Sequence, residues 1–134
     1  MPDKEQIDVE KLRNYWINSS EEDFETMLSL YDTGHYHWAL FVGHLSLEKQ
    51  LKGMYVDKFG KLAPFIHDLL RLAELNDLNL SFEQTEWLDE ITLFNLNARY
   101  DDYKKRFYMR CSRDFTTKWI EKIKQLRSWI ETML

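Results

Sequence analysis

One cysteine, two prolines and four glycines are all that the 134 residues contain. Cys111, standing alone, can neither close an intrachain disulfide nor build a cysteine-based zinc site, and a lone thiol suits a reducing cytosol. So little Gly and Pro cannot supply the turns of an all-β domain, so an all-α fold is expected before any periodicity is read. No two glycines stand at the spacing of a phosphate-cradling loop or a dinucleotide fingerprint. Long apolar runs are missing as well. The longest, residues 38–42, is far short of the roughly 20 needed to span a bilayer, and the leading MPDKEQIDVEK has no signal-peptide core. The expectation is a cytoplasmic protein with no membrane partner. A basic excess is also lacking: the net charge is −5 and the pI about 5.4. That excludes a global field for polyanions, so any nucleic-acid contact must be local.

What is present is apolar and aromatic, 44% and 15% of the chain, enough for one core and one domain over 1–134. Val9, Leu12, Trp16, Phe24, Met27, Leu28 and Tyr31 share one helical face, which predicts a first long helix from an Asp8 cap to Gly34, carried through the weak formers Asn18, Ser19 and Ser20. The second helix, ending at Gly60, has apolar residues on two faces: Trp38, Phe41, Val42 and Leu45, and Leu40, Leu47, Leu51 and Met54. It is expected to lie between neighbours, with Ala39 and Gly43 allowing close approach. His67 or Asp68 can cap a short helix through Leu75. Ser81 with Gln84 has capping-box spacing for a helix carrying Trp87, Leu88, Ile91, Phe94 and Ala98, whose Leu96-Asn97-Ala98 end looks buried. Phe115, Trp119, Ile123, Leu126, Ile130 and Met133 mark the last helix. The expected architecture is an up-down bundle of four long helices plus one short one.

Chemistry is sparse. There is no Glu-x-x-His pair of the kind that di-iron bundles use, and Cys111 has no histidine after His67 to serve as its base. No metal site, cofactor or catalytic residue is therefore expected. Glu48 and Lys52 stand four apart in the favourable order, either as a surface ion pair or as two groups facing a polar cleft. The stretch NLNARYDDYKKRFYMR is the most unusual. From Arg99 to Lys118 there are seven cations against three acids, interleaved with Tyr100, Tyr103, Phe107 and Tyr108. Arginine among aromatics suits phosphate and base recognition, and a solvated face beside a tyrosine-capped corner has the same composition.

The run YHWALFVGHLSLEKQLKGMYVDKFGKLAPFIHDLLRL, followed after a helix by ARYDDY, resembles the HEPN domain family, named for higher eukaryote and prokaryote nucleotide binding. The likeness extends over nearly the whole chain. It rests on Glu48 and Lys52, on Pro64, His67, Asp68 and Leu69, and on the corner at Arg99 and Tyr100. The resemblance implies a helical bundle that commonly forms a homodimer, with the arginine corner near a cleft at the dimer interface. It also implies a small nucleotidyltransferase partner in a toxin-antitoxin-like module, or a metal-independent ribonuclease in which a histidine follows the arginine after four to six intervening residues.

Here those positions hold Lys104, Lys105 and Arg106. Proton transfer near neutral pH suits imidazole, whereas an ordinary lysine stays charged. The family's arginine-tyrosine-proline-aspartate variant is matched at Arg99, Tyr100 and Asp102, with Asp101 replacing the proline. The reading is a non-catalytic protein that binds a nucleotide or RNA phosphate, or the nucleotidyltransferase, through Arg99, Tyr100, Asp102, Lys104, Lys105, Glu48 and Lys52. The alternatives are a ribonuclease with a degenerate site that has recruited Lys104 or Tyr103, and a structural module in which Arg99 pairs with Asp102 or with helix-terminal carbonyls.

Overall fold

The structure is a computed structural model that describes residues 7–134, so the polar residues 1–6 lie outside it. Six helices follow in order: α1 (Val9–Asp32), α2 (Tyr36–Phe59), α3 (Leu69–Leu75), α4 (Phe82–Arg99), α5 (Asp101–Arg110) and α6 (Arg113–Glu131). No strand occurs among the described residues.

The ends of these helices are set locally. Asp8 accepts from the Lys11 amide, Asp68 from Arg71, Ser112 from Phe115, and Ser81 with Gln84 forms the full capping box. At the end of α1, the Gly34 and His35 amides donate back to the Tyr31 and Leu30 carbonyls, a Schellman closure that needs the left-handed φ of 81° at Gly34. No such break occurs at Asn18–Ser20, where α1 runs straight through. Ser20 is buried there, and its hydroxyl bonds the Ser46 carbonyl of α2 at 2.7 Å.

Side-chain contacts give the directions. Ser20 meets Ser46 and Met27 meets Gly43, so α1 and α2 are antiparallel. Asn76, just before α4, bonds Leu51 near the end of α2, while α5, just after α4, lies against the start of α2; α4 therefore runs antiparallel to α2. Phe94 packs on Phe115 and Trp119, while Trp87 faces Lys122, which sets α6 antiparallel to α4. Tyr31 of α1 also hydrogen-bonds Thr117 of α6. The four long helices form the expected up-down bundle, with α2 enclosed by α1, α3, α4 and α6.

One element departs from the expectation of four long helices and one short. Residues 101–110 form a separate helix, α5, because Tyr100 takes an extended conformation (φ −108°, ψ 127°) that breaks the run. Only Phe107 of α5 is buried, stacked on Phe94 at 5.3 Å, so no apolar stripe announces the helix in the sequence. The end of α4 differs as well: Ala98 is buried but Leu96 is 42% exposed.

Close approach of α1 to α2 depends on Gly53 as well as Gly43. A Cβ at Gly53 would stand 2.7 Å from Ile17 Cδ1 and 3.2 Å from Trp16 Cβ, and the latter cannot swing aside. Gly53→Ala should therefore lower stability by about 1–3 kcal/mol despite the better helix propensity of alanine. Urea denaturation checks this, and an unchanged or raised midpoint would contradict it.

Candidate functional site

The residues singled out in the sequence fall in two places. Glu48 and Lys52 lie inside the bundle, each 5% exposed, which corrects the reading of a surface ion pair. Their stretch of α2 is covered by neighbours, so the favourable spacing joins them in the interior. Lys52 Nζ donates to Glu48 Oε2 at 3.1 Å and lies 5.4 Å from the Trp16 ring centre. The other carboxylate oxygen, Oε1, is 2.9 Å from Nδ1 of His67, whose side chain is 54% exposed. A buried carboxylate thus anchors a half-exposed imidazole at the entrance to α3.

His44, one turn before Glu48 and in helical phase with it, completes this cluster. Its Nε2 lies 2.8 Å from the His67 carbonyl, which can only accept, so Nε2 carries the proton. Nδ1 is buried with no partner among the described residues. Burial, the largest cause, lowers the His44 pKa, against the opposing pull of the His67 carbonyl and Glu48. The Pro-x-x-His-Asp run therefore closes the α2–α3 turn onto α2: His67 bonds Glu48 and His44, and the Leu69 amide donates to Thr92 of α4.

The second place is the α4–α5 corner. Arg99 is the last residue of α4, Tyr100 is the break, and Asp102, Lys104 and Lys105 lie in α5. Arg99 is exposed and makes no hydrogen bond or ion pair among the described residues, so the pairing with Asp102 or with helix-end carbonyls is not formed. Lys105 and Arg106 are likewise exposed with no ion pair among those residues. Lys104 Nζ rests 4.7 Å from the centre of the Trp38 ring. Arg110 leaves the cationic set because Glu90 pairs with it at 2.9 Å. Trp38 precedes Glu48 by ten residues of α2, about 15 Å along its axis, so the basic corner and the buried cluster are separate features.

A family model of the HEPN domain matches residues 14–133. The chain belongs to the HEPN domain family. Among solved structures it is similar to the crystal structure of TT1696 from Thermus thermophilus, with a TM-score of 0.76, 18% identity, and coverage of 91% of this chain and 98% of that one. At that identity the likeness concerns the fold. A comparison with curated proteins finds no match.

In this HEPN chain, then, the buried Glu-x-x-x-Lys pair meets the half-exposed His67 of the Pro-x-x-His-Asp piece, while the arginine corner is open to solvent. Two further features escaped the sequence reading. Arg127, buried in the α6 stripe, donates to Ser46 at 2.6 Å and Glu21 at 2.7 Å and also bonds Ser20, tying three helices together. Its position between Leu126 and Ile130 in an apolar stripe was the available signal. Between α4 and α6 lies an open groove of about 570 Å³, where Lys122 Nζ stands 4.2 Å from the Trp119 ring centre and 5.2 Å from that of Trp87. Among the described residues no cluster of three or more His, Cys, Asp or Glu could hold a metal ion, and no helix is long and apolar enough to cross a membrane. Burial pushes the Cys111 thiol up to about 12, which leaves it a poor nucleophile.

Removing one member of the buried pair strands the other. Glu48→Ala should lose about 3–5 kcal/mol, whereas Glu48→Leu with Lys52→Met should stay near the wild type. Denaturant titration of both variants checks this, and equal losses would contradict it. For His44 the depressed value sets the sign. The unfolded chain takes up the proton first on acidification, so this contribution is complete above pH about 6.5 and shrinks as pH falls toward the folded value. Stability should drop between pH 7 and 5.5, less steeply in His44→Gln, which keeps a donor for the His67 carbonyl. A wild-type midpoint flat over that range would count against the assignment.

Proposed function

We propose that this HEPN protein is non-catalytic and holds a nucleotide or RNA phosphate at the α4–α5 corner, as a homodimer that pairs with a small nucleotidyltransferase in a toxin-antitoxin-like module. The observation that carries the reading is the group of exposed cations at the corner, Arg99, Lys105 and Arg106. None of them has an ion-pair partner among the described residues, although Asp101 and Asp102 are adjacent in sequence. Solvated guanidinium and ammonium groups on either side of one helix break suit a multiply charged phosphate better than an internal structural role. Tyr100 and Tyr103, both about half exposed, offer ring faces beside them.

The chemistry of the corner favours binding over cleavage. No histidine follows His67 in the chain, and His67 itself is tied through Nδ1 to Glu48. Lys104 lies on the face of Trp38, the arrangement of a cation held on a ring rather than of a base aimed at a hydroxyl. Leu93 and Leu96, exposed on α4 beside Tyr100, support a second copy of the chain as the occupant of that face. The nucleotidyltransferase partner rests on family membership alone.

Calorimetry with nucleoside triphosphates should detect binding that weakens as salt rises and falls about tenfold in Arg99→Ala, the loss of one charge-assisted contact. Structured and single-stranded RNA incubated with the protein in EDTA should remain intact. Cleavage abolished by Arg99→Ala would replace the binding reading with the ribonuclease one, and no response to millimolar nucleotide would remove it.

A further inference from the structure

His37 packs its ring in the fold without using its nitrogens. It is the second residue of α2, is only 9% exposed, and forms no hydrogen bond among the described residues. Both ring nitrogens keep contact with solvent, so they are open to hydrogen bonds from a ligand. Its ring lines two adjoining depressions. One, of about 300 Å³, is bounded by Asp101, Lys104, Lys105 and Tyr108. The other, of about 270 Å³, lies between Tyr36, Tyr108 and Met109. Tyr108 stands edge-on to the imidazole at 5.1 Å and 81°, so the two rings form the wall that the depressions share. The phenol is itself 61% exposed and offers an open ring face.

The chemistry of the two sides differs. Lys104 and Lys105 border the first depression together with Asp101, so two cations stand there against one carboxylate, with Lys104 Nζ resting on the Trp38 ring. The second is ringed by aromatic and thioether side chains with no charged residue in its lining. Burial first, then the charges of Lys104 and His35, lower the His37 pKa, so the imidazole is neutral and presents one donor and one acceptor. A ligand that satisfies all of this carries a phosphate at one end and a flat heteroaromatic ring at the other, with donors and acceptors along the ring edge.

We propose that His37 and Tyr108 form a base-recognition subsite for a nucleotide whose phosphate is held by Lys104 and Lys105. The inference rests on the phosphate-binding reading of the corner and adds to it what lies beyond the phosphate. His37 hydrogen-bonds the edge of the base, Tyr108 packs on its face, and the nucleotide bridges α5 and the start of α2 within one protomer. Stacking of a base on an aromatic side chain strengthens binding by about tenfold or more.

Calorimetry on the full chain with the four ribonucleoside 5′-monophosphates and with ribose 5-phosphate tests this. At least one nucleotide should bind tenfold or more tightly than ribose 5-phosphate. That ratio should fall to about one in His37→Phe, which keeps a ring in the buried position but no nitrogen, and should shrink in Tyr108→Ala, an exposed position that does not threaten folding. A trinucleotide whose binding shows the same dependence on His37 would support the subsite as one that reads a unit of an RNA strand. A response confined to monophosphates would support it as a site for free nucleotide. If ribose 5-phosphate binds and all four nucleotides fall within twofold of it, or if the ratio survives both substitutions, the base subsite is overturned while the phosphate site stands. If neither sugar phosphate nor nucleotide binds, both are overturned together.

Discussion

The fold depends on the burial of α2 between α1, α3, α4 and α6. Over its middle turns little of this helix faces solvent, and His44, Ser46, Glu48, Gln50 and Lys52 are all buried on it. Each must find a partner inside, and the partners come from different elements. Glu48 takes Lys52 from its own helix and His67 from the following loop. Ser46 meets Ser20 of α1 and Arg127 of α6, and Gln50 donates to the Arg127 carbonyl. Apolar contacts alone would tolerate several rotations of one helix against another, whereas directional bonds of this kind admit one. The polar interior thus sets the register of α1, α6 and the α2–α3 turn around the central helix.

That use of charge in the interior leaves recognition to the outside. The HEPN pattern contributes two sets of polar residues, and the fold separates them: Glu48, Lys52 and His67 hold the bundle, while Arg99 stands at the end of α4 with its guanidinium in solvent. The break at Tyr100 is what brings the corner into being. By taking an extended conformation it ends α4, and the stacking of Phe107 on Phe94 then draws α5 back over the bundle. Lys104 consequently reaches Trp38, and Tyr108 reaches His37, both at the start of α2. Residues far apart in sequence come to share one surface because a single buried phenylalanine anchors an otherwise solvated helix.

Much of this was legible beforehand wherever the cause was local. Caps at Asp8, Asp68 and Ser81 and the stops at Gly34 and Gly60 follow from short-range hydrogen bonding and backbone freedom, and they stand where the residue types place them. The α6 stripe and the two-faced pattern of α2 likewise follow from helical periodicity. α5 escaped because its packing rests on Phe107, and one residue makes no period. His37 escaped because a histidine beside a turn has the same local signature whether its ring is solvated or enclosed.

By itself, then, the sequence determined the all-helical class, the capped starts of α1, α3 and α4 and the glycine stops of α1 and α2, membership of the HEPN family and the absence of a histidine downstream of the arginine, since each is a matter of residue type and near spacing. Only the tertiary structure decided which charges face inward. Glu48 with Lys52 and Arg99 with Asp102 are both opposite-charge pairs three or four residues apart in the sequence. The first is buried and bonded, while the second is exposed and does not form. Glu48 and Lys52 share one helix that its neighbours cover, whereas the extended Tyr100 puts Arg99 and Asp102 on two different helices at the surface, and only the packed bundle shows both outcomes.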